Sequence, residues 1–457
     1  MTMDVAITLV MLVPVLLVVA LIIGVIRRNI TERQAGDPVD ISGAIPAVIV
    51  LMVAVLIIVA MGNAASPYVW DEDSGELTIQ KNVPELNVQP WDSYASEVRS
   101  LVIEDGVTIG TGAFDSLTGL EYVSIGGDVT LGSSAFGVSF LGPTGTAVAD
   151  LVGYEYAGFG DGTLYQADPA IFTYGSNGKT ITGLASEASG TTSIVIPRSS
   201  GTATVTEVAQ AAFQGNTVIE RILTLPGHAV EIRNNAVREC SALTEAHFGD
   251  ETNIYAIFWA SAIESTNIPA KMSAISNNTF WNCTGLTAIE LPASIETIGQ
   301  AAFRGCTSLT DVTLNEGLKT ISSQAFYGCT AIESIALPAS VETIGGTAFR
   351  DCSGVTSVSF ASGFAAELAD GWCPWTFFES DGTTQIDKSL AANLAGKSFQ
   401  GVYNALVEVA PGQLALTPQQ LQQVQLHTQE LQQQELDVQP LPFQPSLQTQ
   451  DQESVSA

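Results

Sequence analysis

Histidine and cysteine, the residues that most often carry catalysis and bind metals, are scarce in this sequence. Its 457 residues include only 3 His and 6 Cys. No Cys-x-x-Cys pair occurs, and His228, His247 and His427 lie far from any cysteine or carboxylate pair at ligand spacing. A Ser–His–acid or Cys–His group therefore has almost nothing from which to assemble. We expect no catalytic, cofactor-binding or metal-binding residues, and a protein that is not an enzyme.

Positive charge is the second scarcity. The chain has 16 Lys and Arg against 47 Asp and Glu, which gives a formal net charge of −31. Like charges repel, so this excess opposes binding to nucleic acid or to anionic lipid. It favours solubility and cationic partners.

Charge is absent altogether from two stretches near the N-terminus. Val5 to Ile26 and Ile41 to Gly62 each run without a single charged side chain. A helix rises about 1.5 Å per residue, so each run is long enough to cross a hydrocarbon core of about 30 Å. The sequence predicts two transmembrane helices, over 1–26 and 41–62.

Three arginines set the expected orientation of these helices. Arg27, Arg28 and Arg33 lie between the apolar runs, and the positive-inside rule places that linker, 27–40, in the cytoplasm. Cleavage of the first run as a signal peptide is disfavoured, because Asp4 precedes it where such peptides carry positive charge. We expect a cell-membrane protein whose residues 63–457 lie outside.

A strict repeat, with a period of about 23 residues, dominates the second half of the chain. Several lattice positions follow the same period. They are Phe280, Phe303, Phe326 and Phe349; Cys283, Cys306, Cys329 and Cys352; Leu286, Leu309, Ile332 and Val355; Ile289, Val312, Ile335 and Val358; Leu291, Leu314, Leu337 and Phe360; and Ile298, Ile321 and Ile344. A fixed period over several positions is typical of a solenoid.

One coil of this repeat has three parts. Leu286 to Pro292 predicts a short strand ended by proline, and Ile295 to Ile298 predicts a second extended piece. Ala302 to Cys306 predicts a turn that packs Phe303 inside. A single coil cannot bury its own apolar side, whereas stacked coils bury a continuous core.

The repeat extends upstream with more variation. The matching pairs are Ile257 with Ala260 (one period before Phe280 and Cys283), Ala236-Val237 with Cys240, Ala212-Phe213, and the outlying Ala113-Phe114 and Ala135-Phe136. Between these arrays, 141–203 is rich in Gly, Thr and Tyr and is interpreted as a β insertion or linker. After the repeats, 363–410 carries aromatic residues that suit a cap, and 411–457 is Gln-rich and predicted to be disordered.

The motifs Leu-x-x-Ile-x-Leu-Pro, Ile-Glu-Thr-Ile-Gly and Ala-Phe-x-Gly-Cys resemble the BspA-type leucine-rich repeats, most closely over 257–360 and also over 205–256 and 98–140. That resemblance implies a cell-surface protein that functions in adhesion. Residues 376–408 also resemble a segment at the end of surface proteins of methanogenic archaea, which implies an archaeal origin. An N-terminal anchor of two helices departs from the usual layout.

The predicted fold is therefore two transmembrane helices followed by a β-rich leucine-rich-repeat solenoid with coils of about 23 residues. In chain order the expected parts are transmembrane helix 1 (1–26), cytoplasmic linker (27–40), transmembrane helix 2 (41–62), N-terminal repeat segment (63–140), β insertion (141–203), solenoid (204–362), C-terminal cap (363–410) and disordered tail (411–457).

Two groups of residues carry weaker hypotheses about chemistry. Equivalent positions in a solenoid form a line, so Cys240 and the four lattice cysteines predict a buried thiol ladder, with disulfides between coils as the alternative. Asp71 to Glu76 resembles the start of a calcium loop. It departs from the EF-hand pattern at Gly75 and at Asn82, so a solvated acidic turn is the favoured interpretation.

The outward strand positions carry the functional prediction. Solenoid surfaces of this kind bind extended partners, although threonine also simply suits an exposed strand. We expect a surface protein that mediates adhesion by binding an extracellular protein or glycan. The alternative is a passive structural component of the cell envelope. The candidate binding residues are Thr297, Thr320, Thr343, Glu290 and Thr313.

Overall fold

The structure, a computed structural model, describes residues 66–84, 89–402, 404–410, 413 and 416–437. The two expected transmembrane helices and their linker lie outside these residues, as does the tail from 438 onward. Within the described ranges, no helix combines the length and the apolar character that a membrane crossing requires.

The chain divides into two compact units. The described residues of the first unit are 66–69 and 79–82, where the backbone amides of Gln80 and Lys81 donate to the carbonyl of Pro67 at 2.8 and 3.2 Å. The second unit comprises Trp70–Thr78 and the chain from Val83 onward. It contains the β-solenoid and the binding surface described below.

The solenoid has two parallel strand ladders. The front ladder uses the Leu-x-x-Ile-x-Leu stretch of each coil, and the side ladder uses the Glu-Thr-Ile stretch. The front strands are β12 (Ser193–Ile196), β14 (Arg221–Thr224), β16 (Glu245–His247), β18 (Ser265–Thr266), β20 (Ala288–Glu290), β22 (Asp311–Thr313), β24 (Ser334–Leu337) and β26 (Ser357–Phe360). The side strands are β11 (Thr180–Leu184), β13 (Glu207–Val208), β15 (Glu231–Ile232), β17 (Asn253–Ile254), β19 (Ala274–Ile275), β21 (Thr297–Ile298), β23 (Thr320–Ile321), β25 (Thr343–Ile344) and β27 (Glu367–Leu368).

Strand pairing confirms a β-solenoid of stacked coils. Thr297, Thr320 and Thr343 pair in adjacent parallel strands, which places residues one period apart side by side. Coil length varies upstream, because Ser193, Arg221, Glu245 and Ser265 are also direct neighbours on the front ladder. The solenoid with the N-terminal coils makes about 12 turns of about 24 residues, close to the length expected.

The turn between the two ladders stacks one aromatic ring per coil. Phe280, Phe303, Phe326 and Phe349 are fully buried, with ring centroids 5.1, 5.3 and 5.4 Å apart and planes within 5° of parallel. The backbone amide of each of the first three donates to a carbonyl of the next coil at 2.7 to 2.8 Å. This side of the coil is therefore held by a ring stack and a hydrogen-bond ladder together.

One upstream position differs from the sequence-based register. Phe258, and not Ile257, stacks on Phe280 at 5.3 Å, and Ser261 takes the cysteine position, 3.8 Å from the thiol of Cys283. This coil is one residue shorter than the strict repeat, so a search at the strict period lands on the neighbour of the correct side chain.

Residues 89–168 form an N-terminal module with its own short stack. Strand β3 (Ser100–Ile103) pairs parallel with β5 (Tyr122–Ile125), and β4 (Thr108–Ile109) pairs with β6 (Thr130–Leu131). The main sheet continues through β8 (Glu155–Gly158), β9 (Thr163–Gln166) and β7 (Ser139–Leu141) in that spatial order. The strands before it are β1 (Tyr68–Asp71) and β2 (Glu76–Ile79), and short 3-10 helices occur at Asp92–Tyr94, Pro169–Ile171, Ser186–Ala188 and Ala391–Asn393.

The interpretation of 141–203 as one separate insertion is wrong. Its first part supplies β8 and β9 to the module sheet, whereas β11 and β12 pair in register with solenoid strands. The antiparallel strand β10 (Phe172–Tyr174) opens the side ladder. Ile181, Ile194 and Ile196 are fully buried, so the solenoid core begins in this segment and not at 204.

The C-terminal end is closed by four strands and a helix. These are β28 (Thr376–Phe378), β29 (Gln385–Ile386), β30 (Ser398–Val402), β31 (Ala405–Val409) and α1 (Pro418–Asp437). Strand β30 pairs antiparallel with β26, which ends the front ladder. Trp372 and Trp375 are buried against Phe349, the last phenylalanine of the ring stack.

Helix α1 corrects the prediction of disorder for the part of the tail that it occupies. Val424 is buried with Phe378, Ala405 and Val407 of the cap. Gln420 is also buried, and its Nε2 donates to the carbonyl of Ser380 at 3.2 Å. A few anchored side chains hold this Gln-rich segment, which its overall composition does not reveal.

Candidate binding surface

The five candidate residues lie on two different ladders. Thr297, Thr320 and Thr343 form a line along the side ladder, and the hydroxyl of Thr343 donates to that of Thr320 at 3.3 Å. Glu290 and Thr313 are direct partners on β20 and β22 of the front ladder. The structure thus separates the candidates into two surfaces.

The side ladder is partly occupied by its own contacts. All three threonines are half-buried. Beside them, Lys319 forms an ion pair with Glu296 at 2.9 Å. Such exposed pairs contribute little to stability, typically about 0 to 1 kcal/mol. The hydrogen bond between Thr343 and Thr320 and the ion pair between Lys319 and Glu296 leave fewer polar groups on the side ladder free to bind a ligand.

The front ladder is more open. In its central coils the outward side chains are short or acidic and exposed, while the alternate positions point into the core, as in Ala288-Ile289-Glu290. The outward positions of β24 and β26 are small as well: they are Ser334, Ala336, Ser357 and Ser359. Short side chains leave the strand backbone accessible to a partner that lies flat on it.

The first two coils of this same face are covered by the N-terminal module. Outward residues of β12 and β14 are fully buried against module side chains. The buried cluster consists of Val195, Leu223 and Leu225 from the solenoid and Tyr122, Ala157, Tyr165 and Ala167 from the module. Two sheets therefore pack face to face within one chain, which sequence reasoning missed because no local motif marks a contact between distant strands.

A polar network surrounds this apolar contact. Arg198 of the solenoid forms an ion pair with Glu155 of the module at 2.7 Å and donates to the carbonyl of Pro226. The hydroxyl of Tyr122 donates to Glu155 at 2.6 Å. Burial, helped by the adjacent Glu155 carboxylate, raises the pKa of Tyr122 to about 12. The tyrosine therefore stays neutral and acts as a donor at ordinary pH.

A cleft of about 350 Å³ lies where the covered part of the front face gives way to the open part. Its lining residues come from both sides of the contact. They are Ser74, Arg99, Ser100, Glu121 and Tyr122 on one side and Pro226, His247, Phe248, Gly249, Asp250 and Asn267 on the other. Arg99 and Glu121 are 3.9 Å apart; Arg99 is exposed and Glu121 is half-buried.

His247 lines this cleft, and His228 follows Pro226, another of its lining residues, by two positions in the chain. His228 is buried, its Nε2 lies 2.8 Å from the carbonyl of Val205, and its Nδ1 has no partner among the described residues. His247 contacts the ring of Phe159 edge-on at 5.9 Å. Burial lowers the pKa of both, so both are neutral near pH 7.

The cysteines form the buried ladder expected from their spacing. Each lattice thiol donates to the carbonyl of a phenylalanine in the preceding coil at 3.0 to 3.1 Å, as Cys306 does to Phe280 and Cys329 to Phe303. All six cysteines are free and buried. Burial raises the pKa of Cys283 to about 12, so these thiols are unreactive core groups.

No group of three or more His, Cys, Asp or Glu within the described ranges is placed to hold a metal ion. At the Asp71 loop, the carboxylate accepts from the backbone amides of Asp73 and Ser74 at 3.0 and 3.4 Å. The hydrogen bonds from Ser74 and Asp73 lower the pKa of Asp71. The loop is an acidic turn closed on itself.

A second surface feature was missed from the sequence. The residue after each lattice phenylalanine points outward, and these residues form a ladder of guanidinium groups and aromatic rings. Trp259 and Trp281 stack at 4.7 Å, Arg238 lies 4.0 Å from the ring centroid of Trp259, and Arg304 lies between Trp281 and Tyr327 at 5.2 and 4.5 Å. The ring faces are covered by neighbours in the ladder, so this edge is held by contacts between coils.

Known protein families and structures were compared with this chain. The BspA type leucine rich repeat region matches over residues 172–287 and 273–367, in six copies. No curated protein gives a significant match. Residues 98–140, where the sequence resemblance also extends, lie outside the matched range.

Several solved structures are similar to parts of the chain. The leucine-rich-repeat protein of T. pallidum is 26% identical, with 42% of this chain and 81% of that chain covered and a TM-score of 0.31. A leucine-rich-repeat protein from Eubacterium ventriosum is 20% identical, covering 63% and 94%, with a TM-score of 0.35. One from Bacteroides ovatus is 17% identical, covering 66% and 96%, with a TM-score of 0.36. The match over 172–367, together with the stacked coils found there, identifies this part of the chain as a BspA-type leucine-rich-repeat region.

Proposed function

We propose that this protein is a cell-surface binding protein, anchored through the apolar segments at 5–26 and 41–62, whose open front face holds an extracellular protein or glycan. Repeat solenoids bind through long regular surfaces of this kind. The length of the two apolar segments supports membrane anchoring, and the arginines between them support the outward orientation.

The observation that carries the proposal is the contact that the chain makes with itself. The front face of the first two coils buries Tyr122 and Tyr165 of the N-terminal module against Val195 and Leu223. A face that already holds a second sheet is suited to docking. The same face continues over β20, β22 and β24 with short or acidic, exposed side chains.

Binding of the full-length chain to arrays of extracellular proteins and glycans tests this function. Two matched variants identify the surface. Ala288→Trp with Ala336→Trp fills the open front face, and Thr297→Trp with Thr343→Trp places the same bulk on the side ladder. We expect saturable binding that the front pair abolishes and that the side pair leaves within about twofold, since a rim change of about 0.4 kcal/mol corresponds to that factor.

Two results contradict the proposal. Absence of saturable binding at high concentration would support the alternative of a passive envelope component. Loss of binding in the side pair alone would place the binding surface on the threonine ladder.

A further inference from the structure

The open front face carries one carboxylate in each of five successive coils. These are Glu245, Glu290 and Asp311 within the strands, and Glu264 and Glu333 directly before β18 and β24. The strands β16, β18, β20, β22, β24 and β26 contain no lysine or arginine. Glu245 is paired with Arg221 at 2.6 Å, and the other four have no ion pair with a lysine or arginine of the described chain.

This strip of charge lies on a face where docking already occurs. The pairing of β12, β14, β16 and β18 runs without a break from the coils covered by the N-terminal module into the open coils. Asp311 lies opposite Ala288 and Glu290 lies opposite Thr313 on paired strands, so the carboxylates are staggered across the face and do not form one straight line. Between them, the short side chains of Ala288, Ser334 and Ala336 do not project far beyond the strand backbone.

We propose that the open front face binds an extended basic polypeptide segment, whose lysine and arginine side chains pair with the carboxylates of successive coils. This inference rests on the proposed binding function and names its partner class. A net charge of −31 adds long-range attraction for such a segment and speeds its approach. Flexible lysine and arginine stems adapt to a carboxylate spacing that differs from their own.

The cleft provides an end point for the segment. Its lining includes two carboxylates from opposite sides, Glu121 and Asp250, together with the rings of Tyr122 and Phe248. Glu121 already lies 3.9 Å from the guanidinium of Arg99, so Asp250 is the carboxylate left for a cation from the segment. A volume of about 350 Å³ holds a lysine or arginine side chain. An ammonium or guanidinium group is attracted to an aromatic face, and more strongly as it loses water.

The test uses the full-length chain and a fluorescent peptide of alternating Lys and Ser, long enough to span the open coils, with the alternating Glu and Ser peptide of the same length as a probe control. The front variant is Glu290→Gln with Asp311→Asn and Glu333→Gln. The matched control, Glu316→Gln with Glu342→Gln and Glu367→Gln, removes the same charge from exposed positions away from the front strands. Anisotropy titrations at low and high salt give the dissociation constants.

We expect the lysine peptide to bind the unchanged chain, to bind the front variant about tenfold more weakly, as three exposed ion pairs of about 0.5 kcal/mol each imply, and to bind the control variant within about twofold. Affinity should fall with salt, because exposed pairs are screened. Equal weakening in both variants would show attraction by total charge alone and would overturn the proposal, as would equal binding of the glutamate peptide.

The array experiment separates this inference from the proposed function. A partner that fails to bind the variant with two tryptophans on the front face, but still binds fully to the front variant that lacks the three carboxylates, would support the proposed binding function. The same result would contradict the proposal of a basic partner. No array binding together with no peptide binding would reject both.

Discussion

Phe326 shows what a single residue contributes to the stack. Its ring lies 5.3 Å from Phe303 and 5.4 Å from Phe349, almost parallel to both. Phe326→Ala should lower the free energy of unfolding by about 3 to 5 kcal/mol, the usual range for a buried phenylalanine. Thr320→Ala, in the same coil but on the outward side, should change it by no more than about 0.5 kcal/mol.

Thermal and denaturant melts of the two variants measure this contrast. Coils couple chiefly to their neighbours, so the loss at Phe326 should also broaden the transition. Equal destabilisation by the two substitutions would mean that the inward and outward assignments are wrong, and with them the register of the repeat.

His228 gives the protein a residue-scale dependence on pH. Burial lowers the pKa of His228 in the folded state, and its Nδ1 has no acceptor for a second proton among the described residues. In the unfolded chain His228 therefore binds a proton more readily, with a pKa of about 6.5. The contribution of the neutral His228 ring to the free energy of unfolding is complete above that pH and is lost as the pH falls below it.

Replacing the ring tests this sign. His228→Gln keeps an amide that can donate to Val205 but cannot titrate. Between pH 7.5 and pH 5.5, the unchanged chain should lose more free energy of unfolding than this variant does. Identical losses, measured by urea denaturation, would remove His228 as a source of the pH dependence.

At the residue scale, sequence predicted the core positions well wherever the period is strict. Phe303 and Cys306 are buried because the same chemistry returns once in every period at one place in the coil. Phe258 was missed because its coil is one residue short. The outward-pointing, half-buried ladder through Arg238, Trp259 and Arg304 was missed because the residue type changes from coil to coil while the stacking persists.

Arg304 stabilises the edge of the solenoid at which guanidinium groups and aromatic rings stack from coil to coil. Its guanidinium group lies between two rings, Trp281 and Tyr327, whereas Arg350 lies 6.0 Å from one ring only. At about 0.5 to 1 kcal/mol for each exposed contact, Arg304→Ala should cost about 1 to 2 kcal/mol and Arg350→Ala about half as much.

A double-mutant cycle separates stacking from other losses. Combining Arg304→Ala with Tyr327→Ala should cost less than the sum of the two single changes by about 0.5 to 1 kcal/mol. Lys319→Ala, which removes an exposed charge paired with Glu296, serves as the control and should be close to neutral. If the costs of the two single substitutions were strictly additive, the contact between Arg304 and Tyr327 would contribute nothing to stability.

At the element scale, short strands were predictable and their partners at the ends of the array were not. The central coils share one sequence pattern, so the strands predicted for one coil could be predicted at the same positions in the others. The segment 172–203 has no Phe-x-Gly-Cys turn, yet Ile181 and Ile194 complete the core beneath the next coil. Helix α1 escaped prediction because a few side chains, Gln420 and Val424 among them, anchor it within a run of interchangeable glutamines.

At the scale of the whole molecule, the docking of the N-terminal module on the front face could not be derived from the sequence. It joins strands such as β9 and β14 that belong to different stacks, and its chemistry is ordinary: Tyr165, Leu223 and a surrounding ion pair between Arg198 and Glu155. The contact nevertheless sets which coils remain open. The candidate residues Glu290 and Thr313 lie in that open part, and the threonine line does not.

The topology of the whole chain can be tested with introduced thiols, because the six native cysteines are buried and free. Their high pKa values and burial protect them from a maleimide that cannot cross membranes. Ala35→Cys places a thiol in the linker 27–40, and Ser362→Cys places one at an exposed position after the last front strand. The unchanged chain, with its own thiols, is the control.

On intact cells we expect labelling of Ser362→Cys, no labelling of Ala35→Cys and none of the unchanged chain. After permeabilisation Ala35→Cys should label as well, since the proposed orientation puts the arginine-containing linker on the cytoplasmic side. Labelling of Ala35→Cys on intact cells would reverse the orientation. Labelling of Ser362→Cys only after permeabilisation would place the solenoid inside the cell, where its front face could not meet an extracellular partner.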